Sequence, residues 1–488
     1  MTLGKGWSLY SPLRYVSAQS AATVAEVRHA IHHLVRAGEV PEKQYQSPQQ
    51  LAFSHRMFHA MQASARDARE GTAPNGNSDQ TAPDDAHQPG PGAVGMLALI
   101  ALAELLGMAL WFTGSAVAPQ LTLRWDLTPS QVGGLATAVQ LGFVLGTATS
   151  AVLNLADVIP ARRLFAVSAV CGAATNALLL WSASYEWALV GRVLTGACLA
   201  GVYPPAMKMA ATWFKARRGL AVAVVVGALT IGKASPYVWQ TFAALPFQLP
   251  IIAASVSALL AALLVALKYE DGPFAFPARP FSWGLIGEVA RVPQWRHALG
   301  GYLGHMAELY SYWTWIPAFL AASAVAHAGA EAASAPWVGA LAFATIAIGG
   351  IGCVWGGVLG DRIGRARIAS RAMLLSGSLA LVIGFAFGRS PWIVGALALA
   401  WGFFVIADSA QFSVLAAEAV PAHAVGTALT VQTCLGFLLT TLTIQIIPPI
   451  VAGVGWDGAF VILAVGPVLG VYALRPLVAA ERVARVQA

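Results

Sequence analysis

The tripeptide Ala-Glu-Leu occupies residues 103–105 and recurs at residues 307–309, 204 positions later. The same offset aligns five further identical pairs: Trp111 with Trp315, Leu155 with Leu359, Asp157 with Asp361, Ile159 with Ile363 and Arg163 with Arg367. So many identities in one register indicate a tandem duplication. Each copy carries a glutamate inside an apolar stretch, so the fold has to provide two equivalent places for a buried carboxyl group.

The composition indicates that lipid is the solvent of this chain. Of its 488 residues, 57% are hydrophobic and 10% are charged, and the mean hydropathy is +0.66. A soluble protein of this size needs more polar residues to cover its surface. Apolar stretches long enough to cross a hydrocarbon core of ~30 Å recur twelve times between residues 94 and 476.

The repeat divides these stretches into two groups of six, which we number spans 1 to 12. We therefore predict an all-α membrane protein in which twelve transmembrane helices form two six-helix bundles. The predicted organisation is a cytoplasmic N-terminal extension at 1–93, a first bundle at 94–268, a cytoplasmic connector at 269–296, a second bundle at 297–476 and a cytoplasmic tail at 477–488. Duplicated helical halves that meet around a midplane site are typical of secondary transporters.

The extension differs in composition from the rest of the chain. Residues 1–93 contain eight basic and eight acidic residues, so the formal net charge of +7 belongs to the membrane part and indicates no nucleic-acid partner. Apolar periodicity predicts helices at 21–37 and around 47–69, followed by a flexible linker at 71–92. Two interpretations stay open: a poorly ordered extension, or a small helical module that regulates the protein or binds a protein partner. A metal site is not predicted, because no further ligand completes the set His29, His32 and His33.

Charge predicts the orientation. The short loops after spans 2, 4 and 8 are rich in arginine and lysine, whereas the loops on the other side carry little beyond Arg124 and Arg389. The positive-inside rule then places both termini in the cytoplasm, and the composition is that of a multi-pass protein of a bacterial cytoplasmic (inner) membrane. Within the connector, residues 282–292 have the pattern of a short amphipathic helix on the membrane surface.

The loop between spans 8 and 9 contains a Gly, an Asp-Arg pair, a second Gly and a basic cluster, from Gly357 to Arg367. In this motif the chain resembles the major facilitator superfamily over about residues 94–476. The first half holds a weaker copy, with Asn154 and Pro160 in place of glycine. Charge-assisted hydrogen bonds at such helix ends would form a cytoplasmic gate; the simpler alternative is charge that sets topology alone. The predicted gate residues are Asp157, Arg162, Arg163, Gly357, Asp361, Arg362, Gly364 and Arg365.

Glu104 and Glu308 are the central prediction for the site. At 1.5 Å per residue each lies roughly 15–17 Å inside its helix, near the bilayer centre. A carboxyl group there is costly unless it is neutral, paired or exposed to water, so either residue is a candidate proton carrier. The resemblance implies that spans 1 and 7 line a central cavity. The alternative is a structural acid that locks helix packing through hydrogen bonds.

Further buried polar and aromatic residues complete the predicted substrate and proton site. Arg192 begins a segment, Arg-Val-Leu-Thr-Gly, that is similar to the superfamily's fourth-helix motif, which the resemblance ties to proton coupling. Lys233 needs a counter-ion or an anionic ligand, unless it extends to the outer interface. The remaining candidates are Asp408 and His305, together with the aromatic residues Trp111, Tyr310 and Trp315, which either close over a solute or pack against helices and lipid.

These features predict a secondary active transporter that moves a small polar or anionic organic solute by alternating access with proton coupling. No nucleotide-binding loop or catalytic triad is visible, so we predict neither an enzyme nor a cofactor, a metal or ATP. A proton-coupled drug or metabolite efflux antiporter stays open, although the glycine-proline signature of such exporters is absent from span 5. A transporter-like sensor that signals through its extension also stays open. The predicted partners are the solute, protons and the lipid bilayer.

Overall fold

The computed structural model describes residues 92–214, 218–242, 245–274 and 281–487. The predictions made for the extension lie outside these ranges. Every regular element in them is helical, as the sequence predicts, and they contain no strand.

The first half of the membrane part contains six spans. Span 1 is Ala93–Met108 followed by Thr113–Ala116; span 2 is Pro129–Val152; span 3 is Ala161–Ala177 with the 3-10 turn Leu178–Trp181; span 4 is Tyr185–Leu199 followed by Tyr203–Trp213; span 5 is Arg218–Ala234 with the 3-10 turn Ser235–Thr241; span 6 is Gln248–Lys268. The short helix Ala118–Trp125 lies between spans 1 and 2.

The second half repeats this pattern. Span 7 is Pro293–Ala328; span 8 is Pro336–Ala347 followed by Gly349–Ile363; span 9 is Arg365–Val382 with the 3-10 turn Ile383–Ala386; span 10 is Pro391–Phe404 followed by Ser409–Ala419; span 11 is the part of Val425–Ala459 before Gly455; span 12 is Phe460–Ala464 followed by Val465–Gln487. Gly455 separates spans 11 and 12, because its φ of 78° takes it out of helical geometry.

Length and composition identify these helices as membrane spans. Among the described residues, nine helical stretches are long and apolar enough to cross a membrane, and the stretch 425–486 holds both span 11 and span 12. Span 1 contributes a shorter apolar helix, and span 7 is 36 residues long but carries several polar side chains. Together they give twelve spans, as the sequence predicts. The protein is an integral, multi-pass membrane protein.

Several spans are broken near the middle. The helix of span 4 restarts at Tyr203, next to Pro204 and Pro205, and span 5 tightens into its 3-10 turn at Pro236. Proline predicts both changes, because it cannot continue the helical hydrogen-bond ladder. Span 1 breaks between Met108 and Thr113 and span 10 between Phe404 and Ser409, where there is no proline to signal the break.

Each half packs mainly on itself. Span 1 contacts spans 5 and 6, span 2 contacts span 4, and span 3 contacts span 6; in the second half, span 7 contacts spans 11 and 12, and span 9 contacts span 12. The most extensive contacts between the halves are those of span 2 with span 11 and of span 5 with span 8, and span 5 also contacts span 10.

Glycines allow the backbones of neighbouring helices to approach each other closely. A Cβ added at Gly227 of span 5 would lie 2.8 Å from the carbonyl oxygen of Gly350 in span 8. Within the halves, a Cβ at Gly142 would lie 1.9 Å from the carbonyl oxygen of Val193, and one at Gly356 would lie 1.8 Å from that of Ala407. The glycine series of spans 2 and 8 thus lets these helices pack backbone to backbone. Small residues have this role at many interfaces between membrane helices.

The amphipathic helix predicted in the connector is present as Trp283–Arg291. Its buried Val289 belongs to a small apolar cluster with Trp295 and Ala428 of the second half, whereas Trp283 is largely exposed. Span 7 then begins directly after it, at Pro293. That is four residues earlier than predicted, because a proline at the first helical turn starts a helix without losing a hydrogen bond.

We expect Gly142→Ala to destabilise the protein by roughly 1–3 kcal/mol, because its Cβ would collide with the backbone of span 4 and force the two helices apart. Gly95→Ala in span 1 is the matched control, since no atom lies within 4 Å of its Cβ. Thermal unfolding in detergent, followed by size-exclusion chromatography, measures the difference. Equal midpoints for the two variants would contradict the close packing of spans 2 and 4.

Candidate functional site

A cavity of about 330 Å³ lies between the halves. We call the side of the protein that bears the loops after spans 2, 4 and 8 the basic face, and the cavity opens toward the opposite face. It is lined by spans 1, 5 and 6 of one half and by spans 7 and 8 of the other. The residues that give it polar or aromatic character include Ser115, Tyr237, Trp239, Gln240, Thr314 and Trp315. Its volume falls within the range of small-molecule sites, ~300–1,000 Å³.

Aromatic rings close the cavity on the inside. Phe112 lies at the break of span 1, and its ring centroid is 6.1 Å from that of Trp313 in span 7, edge to face, and 6.3 Å from that of Tyr237 in span 5. Phe112 and Trp313 are buried, and Tyr237 lines the cavity. These three rings, here called the aromatic floor, join the two halves directly beneath the space that a solute would occupy.

Lys233 lies one helical turn below Tyr237, beneath the aromatic floor. Its ammonium nitrogen is 3.7 Å from the ring centroid of Trp111, 4.8 Å from that of Tyr310 and 5.2 Å from that of Trp313. It donates a hydrogen bond of 2.5 Å to the Tyr310 hydroxyl. Aromatic faces attract a cation by ~2 kcal/mol when it is desolvated, which replaces part of its lost hydration. Because Lys233 belongs to the first half and Tyr310 to the second, this contact holds the halves together.

Glu104 is the second ionisable group of this cluster. Its carboxyl group is fully buried, and neither oxygen has a hydrogen-bond partner among the described residues. Lys233 lies within electrostatic range, although the two do not approach to ion-pair distance. No hydrogen bond among the described residues therefore fixes the position of this carboxyl group.

Glu308 has a different environment from Glu104. Its Oε2 accepts a hydrogen bond of 2.8 Å from the Ser376 hydroxyl, and its Oε1 accepts one of 2.8 Å from the Trp401 indole N–H. Both donors belong to the same half as Glu308. The repeat therefore places two glutamates at equivalent positions, but only Glu104 lacks partners. For Glu308 these contacts favour the structural alternative, a hydrogen-bonded acid that fixes spans 7, 9 and 10.

Arg192 lies behind span 1 rather than in the cavity. Its guanidinium donates to the carbonyl oxygens of Leu110 and Trp111, at 2.7 and 2.6 Å, and to Oδ1 of Asn176 at 2.7 Å. The break of span 1 frees these carbonyls from helical hydrogen bonds, and Arg192 satisfies them. We predicted Arg192 as part of the substrate and proton site; in the structure its contacts position the backbone that carries Trp111.

His305 and Asp408 form a separate pair below the cluster. His305 Nδ1 lies 2.8 Å from Asp408 Oδ1, and both side chains are almost completely buried. Trp315 lies at the other end of span 7, where it lines the cavity and donates its indole N–H to the carbonyl of Ile444 in span 11. The structure thus brings Lys233, Trp111, Tyr310 and Glu104 together, and leaves Glu308, Arg192 and the His305–Asp408 pair in surroundings of their own.

The sequence did not identify every residue of this region. Phe112 and Tyr237 of the aromatic floor were not predicted as site residues, nor was Asn176, the partner of Arg192. Tyr237 had a usable signal, since it follows Lys233 by four residues and therefore lies on the same helical face. Asn176 had none, because a polar residue in span 3 acquires its role only through packing against span 4.

A family model for the Major Facilitator Superfamily matches residues 99–444. The chain belongs to this superfamily. Solved structures of its transporters share the fold. A variant of the E. coli fucose:proton symporter FucP has 16% sequence identity and a TM-score of 0.57, with 79% of this chain and 98% of that chain covered. A second FucP structure, in the outward conformation, has 16% identity and a TM-score of 0.58, with 79% and 99% covered.

The nucleoside transporter NupG, as a variant, is similar at 13% identity with a TM-score of 0.58, covering 78% of this chain and 99% of that chain. At such identities the likeness establishes the fold alone. No curated protein sequence matches the chain.

The superfamily's signature loop joins the halves on the basic face. Asp361 Oδ1 lies 3.1 Å from Arg365 Nη2, and Arg365 Nε lies 3.4 Å from Glu418 Oε1 in span 10. A Cβ at Gly219, in the first turn of span 5, would lie 3.4 Å from Asp361 Oδ1 and 3.2 Å from Arg365 Nη1. The carboxylate therefore faces the N-terminal end of a helix of the other half, where negative charge is stabilised. We call Asp361, Arg365 and Glu418, all of the second half, the latch.

The turn after Asp361 is built around glycine. Gly364 has a φ of 103°, a conformation that L-residues with side chains rarely adopt. Glu481 of span 12 accepts hydrogen bonds from the backbone N–H groups of Ala366 and Arg367, which caps span 9. Arg485, also of span 12, donates a hydrogen bond to the carbonyl oxygen of Arg362. On the side of the first half, a Cβ added at Gly357 would lie 2.7 Å from the Cβ of Ala223 in span 5. The helical tail thus supports the latch from behind.

The weaker copy of the motif takes a different path. Pro160 occupies the place of Gly364 in the repeat, and a proline cannot adopt a φ near 100°. Asn154 supplies the left-handed residue instead, with a φ of 51°, and its side-chain oxygen accepts from the N–H of Phe281 in the connector. Arg162 donates to the carbonyl of Ala266 in its own half, and Arg163 is exposed. The side chain of Asp157 lies outside the described part.

We expect Asp361→Asn to shift the population toward states that are open on the basic face, because the amide loses the charge that faces Arg365 and the end of span 5. The pair is about one-third exposed, so the shift should be modest, roughly two- to fivefold. Spin labels at Val158 and Val483 on the basic face, in a background without native cysteines, report the distance between the halves. Glu331→Gln, a charge removed outside the latch, is the control. Identical distance distributions for both variants would remove the latch assignment.

Proposed function

We propose that this protein is a proton-coupled secondary active transporter that moves a small polar or anionic organic solute by alternating access. One observation carries the proposal: directly beneath a solute-sized cavity, the ammonium of Lys233 joins the two halves through Tyr310, with the unpartnered acid Glu104 in electrostatic range. We place the protein in a bacterial inner membrane, with the basic face and both termini in the cytoplasm, in accordance with the positive-inside rule.

The observed state is one of the two that alternating access requires. The cavity opens away from the basic face, while the latch and the span 5–span 8 contact close that face. Rocking one half against the other would separate Asp361 from span 5 and would close the cavity at the face opposite the basic face. The glycine contacts between spans 5 and 8 favour such a motion, because smooth helix surfaces can slide without unlocking large side chains.

The lining of the cavity supports a solute with both polar and apolar parts. Hydroxyl and amide groups from Ser115, Gln240 and Thr314 lie among aromatic and aliphatic side chains. FucP and NupG are named for fucose and nucleosides, which are small and polar, and they share this fold. Lys233 adds a cation that an anionic solute would reach once the aromatic floor opens.

Charge balance explains how a proton would be coupled to an anion. While Glu104 is ionised, it competes with any anionic solute for the field of Lys233. Protonation of Glu104 removes this competitor, so proton and solute bind together from the side to which the cavity is open. Release of the proton on the other side restores the negative charge and expels the solute. The scheme needs the acid to be without fixed hydrogen bonds, as Glu104 is in this state.

We expect Glu104→Gln to abolish accumulation driven by a pH gradient while leaving exchange at equal pH less affected, because exchange does not require the proton to cycle. Glu308→Gln should retain accumulation, since its partners belong to one half. A panel of labelled organic acids, amino acids, sugars and nucleosides is first tested for uptake into proteoliposomes with an acidic exterior. If both variants accumulate solute like the parent, proton coupling through these glutamates is wrong and both are structural.

Lys233→Ala should weaken the binding of an anionic solute on the order of ten- to hundredfold, because it removes the only cation of the aromatic cluster among the described residues. A neutral solute should lose little affinity. Lys268→Ala, at the exposed end of span 6, is the control of equal charge change. Thermal-shift titration with the transported members of the panel measures the affinity. An anion that binds the Lys233 variant as tightly as the parent would exclude Lys233 as its counter-charge.

A further inference from the structure

The His305–Asp408 pair has no part in the coupling scheme above. His305 belongs to span 7 and Asp408 to span 10, with Nδ1 and Oδ1 2.8 Å apart. Despite this proximity, neither ring nitrogen of His305 nor Oδ1 of Asp408 makes a hydrogen bond of regular geometry among the described residues, and all three atoms are buried. The pair therefore places an imidazole, which has two nitrogens able to carry a proton, beside a carboxylate with no fixed hydrogen bond between them.

The pair lies on the basic side of the barrier. In span 7, His305 precedes Thr314, which lines the cavity, by nine residues, or about 14 Å along the helix. Tyr310 and Trp313, which surround Lys233, lie between them. A proton entering from the cavity therefore has to pass the aromatic floor to reach His305, whereas on the other side the helix Ser409–Ala419 leads from Asp408 to the basic face and thereby defines a second route.

Unpartnered polar atoms mark that route. Gln411 Oε1, in the turn of span 10 after Asp408, and Gln432 Oε1 of span 11 are buried without hydrogen-bond partners, and the Gln432 amide donates to the Phe412 carbonyl between them. These oxygens continue from the pair toward the basic face. They are able to accept hydrogen bonds from water once that face opens.

Span 10 also connects the pair to the latch. Its break, at residues 405–408, leaves Asp408 at the N-terminal end of the helix Ser409–Ala419, and Glu418 at the other end of this helix contacts Arg365. A charge change at Asp408 thus acts on the same short helix that contributes to the closed basic face.

We propose that the His305–Asp408 pair is a second protonation site that exchanges its proton with the basic face, and that its protonation biases the opening of that face. The proton binds at a ring nitrogen of His305, next to the Asp408 carboxylate. The inference rests on the proposed function, in which a proton taken up at Glu104 has to leave on the basic side.

In the part of the chain that the structure describes, few other titratable groups lie around the pair. Glu308 lies one turn further along span 7, and Cys353 of span 8 lies within electrostatic range of Asp408. Tyr302 stacks near His305, with ring centroids 6.3 Å apart, and has Tyr203 and Cys434 in its own surroundings. Of these, Glu308 is the one whose charge competes as an explanation of any pH dependence, so it serves as a control.

The test follows the basic-face distance between spin labels at Val158 and Val483 from pH 5 to pH 8, in full-length protein in nanodiscs without solute. We expect a pH-dependent distance distribution in the parent. His305→Gln and Asp408→Asn should each remove this dependence or move its midpoint by at least about one pH unit, a tenfold change in proton concentration. Glu308→Gln should retain the parent's midpoint, as should His327→Gln, a histidine at the other end of span 7.

A parent distribution that does not change with pH would overturn the proposal. So would a parent-like midpoint in His305→Gln, or the loss of pH dependence in Glu308→Gln alone. Because no solute is used, these outcomes are independent of the uptake experiments: solute accumulation that depends on Glu104 would stand even if the pair does not titrate.

A second measurement needs no substitution in the pair, in case those variants fail to fold. Diethyl pyrocarbonate modifies neutral imidazole nitrogens, and mass spectrometry quantifies the product on the peptide that contains His305. We expect slow modification in the parent and a several-fold faster reaction in Asp361→Asn, in which the basic face opens more often. Equal rates in the two proteins would show that opening this face does not expose His305, and would overturn the assignment.

Discussion

The structure depends on the burial of one ammonium group between two halves of a membrane protein. Lys233 has left water for a position enclosed by three aromatic rings and one phenolic oxygen, and those groups come from both halves. Moving the halves apart would expose the cation to a new environment and remove its partners at the same time. The Lys233 contact is therefore both the seal beneath the cavity and the charge that an anionic solute would use.

The surrounding architecture keeps that contact in register. Arg192 satisfies the carbonyl groups at the break of span 1, and this break brings Trp111 over Lys233. A buried guanidinium without a carboxylate partner is unusual, but here the break of span 1 provides two carbonyl acceptors and Asn176 of span 3 provides a third. The two cations of the first half thus have different roles: one supports the backbone, and the other joins the halves.

Residues at equivalent positions of the repeat have different contacts in the two halves. Glu104 and Glu308 are equivalent in sequence, yet one lacks partners and the other holds two donors from its own half. The signature loop shows the same divergence. The second copy, with Gly364, faces span 5 across the seam between the halves, whereas the first copy, with Pro160, contacts its own half and the connector. The two copies of each motif therefore have different contacts in the two halves.

The sequence by itself determined the duplicated, twelve-span architecture, because the offset of 204 residues and the long apolar stretches follow from composition and register alone. It also predicts Lys233, Glu104 and the signature loop as functional residues, since ionisable residues in apolar helices are costly. Only the tertiary structure decided which acid is unpartnered, that Arg192 holds a broken helix, and that His305 meets Asp408. The breaks in spans 1 and 10 have no proline signal, and the partners of a buried group come from helices distant in sequence. Those contacts are fixed by how the helices pack, which the order of residues along one span does not specify.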